Sequence, residues 1–194
     1  MRALLLVVDP DPASYTHELA RRARSGLAAA GNEVTVVDLH AIGFAAAMSP
    51  VEREAYHGDE PLVSEQVAAQ AALVTTADAL VVVYPSIASG LPAILKGWFE
   101  RVLVPGVGFG FNAQGKVRPA LTDIRHIVGI ATYREPRWKV AVRNDNGRRT
   151  LTRAFRMSCG LQARSRWFGC HEPTSSAGRD EFADRVERAM TGLS

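Results

Sequence analysis

Residues 84–112 read YPSIASGLPAILKGWFERVLVPGVGFGFN, and this stretch decides the fold that the sequence predicts. It follows the short apolar run ALVVV at 79–83, which is typical of a strand buried on both faces of a parallel sheet. Pro85 predicts the end of that strand, because proline has no N–H for the ladder. A loop of small residues at 86–90 and a helix from about residue 92 to 103 follow. In an open α/β sheet, the edge where such a loop lies is the edge that binds ligands.

The rest of the chain alternates strands with helices in the same way. Strands are predicted at 3–8, 33–39, 79–83, 124–131 and 162–170. Helices are predicted at about 14–30, 62–76, 92–103, 148–158 and 177–190. The connections at 40–59, 105–122 and 132–146 are interpreted as irregular loops. Together these elements predict one domain over residues 1–194, a doubly wound parallel sheet within a three-layer α/β/α sandwich.

Composition excludes several classes of protein. The chain has 194 residues, 47% of them hydrophobic and 22% charged, and no apolar run approaches the ~20 residues of a membrane span. Its first residues, MRALLLVVDPDP, do not fit a signal sequence, so a cytoplasmic protein is expected, although peripheral membrane association stays open. The net charge of +3 is scattered rather than gathered in a stripe, which argues against nucleic-acid binding.

The two cysteines and five histidines suggest neither a metal site nor a nucleophilic triad. Cys159 and Cys170 lack ligand spacing and are interpreted as buried, unpaired small hydrophobes. No Ser-His-Asp arrangement is apparent, His126 is expected in the core, and His171 is only a weak candidate for a site.

Pro85 together with GLPAILKGWFERV at 90–102 resembles the flavin-binding segment of the flavodoxin-like NAD(P)H:quinone reductases, over a long ungapped run. The resemblance implies a five-stranded flavodoxin-like sheet in the order 2-1-3-4-5. It also implies a bound flavin, FMN or FAD, which takes a hydride from NADH or NADPH and passes it to a quinone-like acceptor. The small side chains at 86–90 depart from the family, which usually places an aromatic residue in this loop.

In that strand order the loops at 9–16 and 85–90 meet at one crevice. The first loop ends at a helix N-terminus, where orphan N–H groups and hydroxyls suit a phosphate. Ser14 taken alone is better explained as an N-cap with nothing bound. The resemblance implies that Ser14, Tyr15 and Thr16 hold the flavin phosphates. Asp9 stands where the family often has His, and it is expected to cap or orient the loop.

The resemblance assigns the flavin ring to the second loop and to the end of the fourth strand. Residues inheriting ring contacts are Pro85, Ser86, Ile87, Ala88, Thr132 and Tyr133. The family continues with two glycines after the last two positions, whereas this chain has Arg134 and Glu135. Tyr133 is the candidate catalytic residue, with an ordinary loop tyrosine as the alternative. Arg134 and Arg137 are conceivable contacts for a nicotinamide-cofactor phosphate.

The core helix and the loop after it carry the predicted substrate and partner contacts. Phe109 and Phe111 match positions where relatives place aromatics over the substrate, often from the partner subunit; otherwise they pack their own loop. The helix at 91–104 is apolar all round, which predicts a homodimer formed through it. Two other functions stay open: a flavin- or nucleotide-sensing regulatory subunit of a membrane transport system, and a relative that has lost its flavin with the glycine pair.

Overall fold

The computed structural model describes residues 1–58, 60–62, 64–160, 162–172 and 174–193. Its main sheet has five parallel strands in the order β2-β1-β3-β6-β7. These strands are β1 Arg2–Val7, β2 Glu33–Asp38, β3 Ala79–Pro85, β6 His126–Tyr133 and β7 Arg164–His171. They correspond to the five strands predicted, in the predicted order, so the doubly wound flavodoxin-like architecture is confirmed.

Helices cover both faces of the sheet. They are α1 Tyr15–Ala29, α2 Pro50–Ala55, α3 Glu65–Thr75, α4 Ala93–Val102, α5 Arg137–Val142, α6 Asn146–Arg149, α7 Arg156–Cys159 and α8 Ser176–Thr191, with a π-helical turn Thr150–Phe155 between α6 and α7. No helix in the described ranges combines the length and the apolarity that crossing a membrane requires.

Successive residues of the central strands serve two separate cores, since side chains alternate across a strand. Leu4 and Leu80 lie in the core that includes α3 and α4. Leu5 and Val81 lie in the core that includes α1 and α8. Both faces of the middle strands are therefore buried, which explains why the run at 79–83 is apolar without alternation.

Three segments interpreted as irregular loops contain regular structure, so those interpretations were wrong. The connection at 40–59 includes α2, whose N-cap Ser49 forms a capping box with Glu52. The segment at 105–122 holds the antiparallel hairpin of β4 Phe109–Phe111 and β5 Val117–Pro119. The segment at 132–146 contains the end of β6 and α5. These pieces are short, and tertiary packing rather than periodicity supports them.

Helix α4 does not need a partner subunit to bury its apolar surface. Trp98, Phe99 and Val102 are buried within the chain itself. The outer face carries Lys96 and Glu100, which form an ion pair. The apolar surface of α4 is therefore no reason to expect a dimer through this helix, and the homodimer itself stays a prediction.

Gly97 allows α4 to touch the chain that covers it. A Cβ on Gly97 would lie 2.1 Å from the carbonyl oxygen of Ala46, a backbone atom that cannot rotate away. We expect Gly97→Ala to lower the free energy of unfolding by about 1–3 kcal/mol through overpacking, measured by urea denaturation. Gly110→Ala, with nothing within 4 Å of the new Cβ, is the control and should stay within about 0.5 kcal/mol of wild type. Equal losses in both variants would contradict this account of the contact.

Candidate functional site

A cleft of about 770 Å³ opens at the carboxyl edge of the sheet, where β1, β3 and β6 end. It is lined by Asp9, Pro10, Ser14, Tyr15, Thr16, Pro85, Ser86, Ile87, Ala88, Ser89, Thr132, Tyr133, Arg134, Glu135, Val140, Arg143, Glu172 and Arg179. All nine residues predicted to bind the cofactor are among them. The strand order explains this, because neighbouring parallel strands deliver their outgoing loops to one edge.

The first loop is held in shape by its own acidic side chains. The Asp9 carboxylate accepts from the Asp11 N–H at 3.0 Å, and the Asp11 carboxylate accepts from the Ala13 N–H at 2.9 Å. Asp9 thus orients the loop, as expected. Among the described residues, the structure records no acceptor for the backbone N–H groups of Tyr15 and Thr16, the first two of helix α1. These donors and the helix dipole make this end of the cleft suitable for an anion.

The second loop is a tight turn whose tip has left-handed backbone. Gly90 N–H donates to Ile87 at 2.8 Å across the turn, and Ala88 and Ser89 have φ of 49° and 59°. Non-glycine residues pay about 1–2 kcal/mol each for this conformation. Within the described chain, the N–H groups of Ala88 and Ser89 have no recorded acceptor. The turn therefore presents a second pair of backbone donors beside the cleft.

The same turn anchors the segment that follows β6. The Ser89 carbonyl accepts from Asn146 N–H at 2.8 Å and from Gly147 N–H at 3.3 Å. A Cβ on Gly147 would lie 2.6 Å from the Tyr84 hydroxyl, so this approach requires glycine. The loop expected to contact a flavin ring and the start of α6 therefore form one packed unit.

Tyr133 is fixed on both its hydroxyl and its ring. The hydroxyl donates to the Asp145 carboxylate at 2.9 Å. The ring stacks on His171 at a centroid distance of 4.3 Å and an interplanar angle of 8°. Burial and the charge of Asp145 raise the pKa of Tyr133, so the phenol stays protonated. Because the hydroxyl hydrogen is engaged in the bond to Asp145, the oxygen can act toward a ligand only as an acceptor.

His171, a weak candidate from the sequence, contributes packing to this arrangement. Burial lowers the pKa of the His171 imidazole, which favours the neutral ring that stacks on Tyr133. Its Nδ1 is buried without a hydrogen-bond partner in the described structure.

In the part of the chain that the structure describes, two ion pairs and the unpaired side chain of Arg134 border the cleft. Arg143 pairs with Glu135, and Arg179 pairs with Glu172. Arg134 is exposed and has no recorded partner among the described residues. Ser89 belongs to the predicted cleft loop, whereas Val140, Arg143, Glu172 and Arg179 were not predicted as cleft residues. Most of them lie in segments taken for loops or beyond the last strand, where no motif marks them.

The two predicted substrate residues lie elsewhere. Phe109 and Phe111 stack edge to face on the β4–β5 hairpin, and neither lines the cleft of its own chain. Arg137, conceived as a phosphate contact, does not line it either. A substrate role for the two phenylalanines therefore requires a second copy of the chain.

A Ser-His-Asp chain of contacts is present, contrary to the interpretation from the sequence. Ser14 Oγ lies 3.3 Å from His17 Nδ1, and His17 Nε2 lies 3.0 Å from Asp38 Oδ2. Asp38 is the last residue of β2, so the contact depends on tertiary packing between β2 and the first turn of α1. The hydroxyl of Ser14 is at the cleft wall, while the imidazole lies behind it.

The other groups considered for chemistry are inert. Cys159 and Cys170 are buried free thiols, as expected. Among the described residues no cluster of His, Cys, Asp and Glu could hold a metal ion.

Comparisons with known proteins identify the family. The Flavodoxin_2 family profile, described as a flavodoxin-like fold, matches residues 1–161. The chain belongs to this family. It is 32% identical over 126 residues to NAD(P)H dehydrogenase [quinone] 1 from Rattus norvegicus, a match that covers 57% of this chain and 46% of that protein. The chain thus spans less than half the length of the curated relatives it matches.

Solved structures show the same fold over the whole chain. NAD(P)H:quinone oxidoreductase from Methanothermobacter marburgensis superposes with a TM-score of 0.85 at 24% identity, covering 100% of this chain and 99% of that one. An FMN-dependent NADH-azoreductase from Bacillus anthracis, solved in complex with FMN, superposes with a TM-score of 0.77 at 14% identity, covering 98% and 97%.

Proposed function

We propose that this protein is a flavin-dependent oxidoreductase that accepts a hydride from NADH or NADPH and delivers two electrons to a quinone-like acceptor. The observation that carries the proposal is one cleft with two separate pairs of backbone N–H groups for which the described residues supply no recorded acceptor, one pair at a helix N-terminus and one at a strained turn. A phosphate and the carbonyl edge of a flat ring need these two kinds of partner. The quinone dehydrogenase relative points to the same chemistry.

The residues of the cleft fit a flavin nucleotide. Tyr15 and Thr16 would meet its phosphate through their N–H groups, with Ser14 beside them. The backbone at Ala88, which is exposed, and at Ser89 beside it would meet the ring. We favour FMN over FAD, because a structure solved in complex with FMN shares the fold.

The flavin, when bound, supplies the hydride chemistry, and the chain supplies position and polarity. Pro85, Ser86 and Ile87 would support the ring from the β3 side, and Thr132 and Tyr133 from the β6 side. Tyr133 is the proposed catalytic contact. Its hydroxyl donates to Asp145, so its oxygen would act as a hydrogen-bond acceptor in a fixed position. Arg134 is the free cation at the rim that could meet an anionic group of the donor.

Assembly and location are part of the same proposal. Phe111, 56% exposed on the hairpin, could cover the substrate side of a partner subunit's cleft in a homodimer. The two free cysteines fit a reducing compartment such as the cytoplasm.

The test is the visible spectrum of the purified protein, with FMN or FAD added to any colourless preparation before desalting. We expect a yellow protein that bleaches anaerobically with NADH or NADPH and regains its colour on addition of a quinone. A colourless protein that retains neither flavin would overturn the proposal. It would also favour a flavin-less relative, in which Arg134→Gly with Glu135→Gly should restore binding. Bleaching without reoxidation by quinone would instead favour a regulatory flavoprotein.

A further inference from the structure

His17 is held in one orientation between two elements. Its side chain is 14% exposed, with Nδ1 facing Ser14 Oγ at 3.3 Å and Nε2 facing Asp38 Oδ2 at 3.0 Å. The other carboxylate oxygen of Asp38 accepts from the N–H groups of His40 and Ala41 at 2.9 and 3.1 Å. The carboxylate cannot turn away without losing these bonds, so it keeps one oxygen for the imidazole.

The charge state of Asp38 decides which nitrogen of His17 carries hydrogen. Burial by itself would raise the pKa of the Asp38 carboxyl, but hydrogen bonds from His17 and from the N–H groups of Ala41 and His40 lower it below its ordinary value. Asp38 is therefore ionised at neutral pH and accepts a hydrogen bond from Nε2–H of His17. With Nε2–H committed to Asp38, Nδ1 on the Ser14 side is the nitrogen left open to a further proton.

The proton on Nδ1 changes what Ser14 offers to the cleft. A neutral His17 presents a bare Nδ1, which takes the Ser14 hydroxyl hydrogen and leaves only oxygen lone pairs at the cleft wall. A protonated His17 donates to Ser14 Oγ, so the hydroxyl hydrogen is free to point outward at a ligand oxygen. The backbone N–H of His17 also donates to Ser14 Oγ, at 3.4 Å, which favours the outward direction further.

The charged side chains around His17 show why a positive charge on its imidazole would matter for a phosphate. Charged groups on the elements around His17 include Asp9 and Asp11 in the first loop, Asp38 on β2, Glu18 paired with Arg21 and Arg22 on α1, and Arg179 on α8 paired with Glu172. The cations among them are already paired with carboxylates. A phosphate at the start of α1 would therefore meet an acidic loop with little opposing side-chain charge unless His17 is protonated.

We propose that His17 is a positioning residue for phosphate: protonated, it turns the Ser14 hydroxyl into a donor toward the flavin phosphate and supplies the positive charge at that end of the cleft. The inference rests on the proposed function, because the ligand is a phosphate-bearing flavin. Binding of FMN should then be linked to proton uptake at His17, and binding of riboflavin, which lacks the phosphate, should not.

The experiment is fluorescence titration of apoprotein with FMN and with riboflavin between about pH 5.5 and 8.5, the range in which histidine side chains titrate. His17→Gln keeps neutral hydrogen bonds toward Ser14 and Asp38 but cannot carry the charge. We expect wild type to bind FMN about tenfold more tightly than His17→Gln near pH 6, and within about twofold near pH 8.5. The readout is the ratio of the two proteins' dissociation constants for FMN at each pH. The ratio is used because the phosphate of FMN itself titrates at about pH 6 and affects both proteins.

Two controls distinguish a failure of the role proposed for His17 from a failure of the proposed flavin binding. His57→Gln changes an exposed histidine away from the cleft and should follow the wild-type profile for FMN. Riboflavin should bind wild type and His17→Gln equally, which also shows that the variant is folded. Parallel pH profiles of wild type and His17→Gln with FMN would overturn the role of His17 and leave the flavoprotein intact. Failure of wild type to bind either flavin at any pH would overturn the proposed function as well.

Discussion

Arg101→Met is expected to lower the free energy of unfolding by about 3–5 kcal/mol, because it leaves a buried carboxylate without its partner. Arg101 on α4 donates to the Glu52 carboxylate from Nε at 2.9 Å and from Nη2 at 2.7 Å. Both side chains are almost fully buried, at 6% and 8% exposure. Arg101 also donates to the Ala45 carbonyl and lies over the Phe44 ring. The measurement is urea denaturation near neutral pH.

The sign of the pH dependence follows from Glu52. Burial by itself would raise the pKa of Glu52, but hydrogen bonds from Ser49 and Arg101 lower it below its ordinary value. A lowered carboxyl pKa stabilises the fold above the unfolded pKa, and this contribution is lost as the pH falls through the folded value. The gap between wild type and Arg101→Met should therefore narrow in acid.

Two further variants test the explanation. Lys96→Met removes the cation of the exposed pair with Glu100 on the same helix and should cost less than about 1 kcal/mol. Arg101→Met combined with Glu52→Met removes both buried charges and should recover much of the loss. A double variant as unstable as Arg101→Met alone would show that packing of the arginine, rather than the unpaired carboxylate, causes the effect.

Ser14→Asp is expected to weaken FMN binding by at least about 100-fold, because it places a carboxylate against the phosphate, and like charges in contact cost several kcal/mol. Aspartate is as good an N-cap as serine, so helix α1 should remain stable. Riboflavin affinity should change by less than about threefold, since it has no phosphate to repel. Fluorescence titration of apoprotein measures both ligands.

Ser64→Asp is the matched control for this substitution. Ser64 is the N-cap of α3 and lies outside the cleft, so the same charge at another helix N-terminus should leave FMN affinity unchanged. If Ser14→Asp retains FMN with wild-type affinity, the phosphate does not lie at the start of α1, and the assignment of Ser14, Tyr15 and Thr16 is wrong.

The sequence predicted the sheet and both cleft loops because their signals are local. The apolar run at 79–83 is uninterrupted, Pro85 marks its end, and Ser14 marks the start of α1. Parallel strands then bring the loops together without further information. The strand order came from the family resemblance, and the structure bears it out.

The sequence did not predict the side-chain contacts between residues in different elements of the chain. Asp145 meets Tyr133 because a short segment adopts left-handed backbone at Asn144 and Asp145 and packs beneath the turn at Ser89. His17 meets Asp38 because the end of one strand lies beside the first turn of a helix. No motif at fixed spacing marks either contact, so local propensity alone could not predict them.

The strand order also has a consequence for how the chain folds. Strand β1 lies inside the sheet, and its N–H at Arg2 donates to Asp78, 76 residues further along. During synthesis β1 can pair with β2 before β3 exists, which leaves the N–H and C=O groups on the other edge of β1 unpaired. We expect that edge to stay open to wrong pairings until β3 is made. Residues 40–78 separate β2 from β3, so we expect the length of this segment to affect how long the edge of β1 stays open.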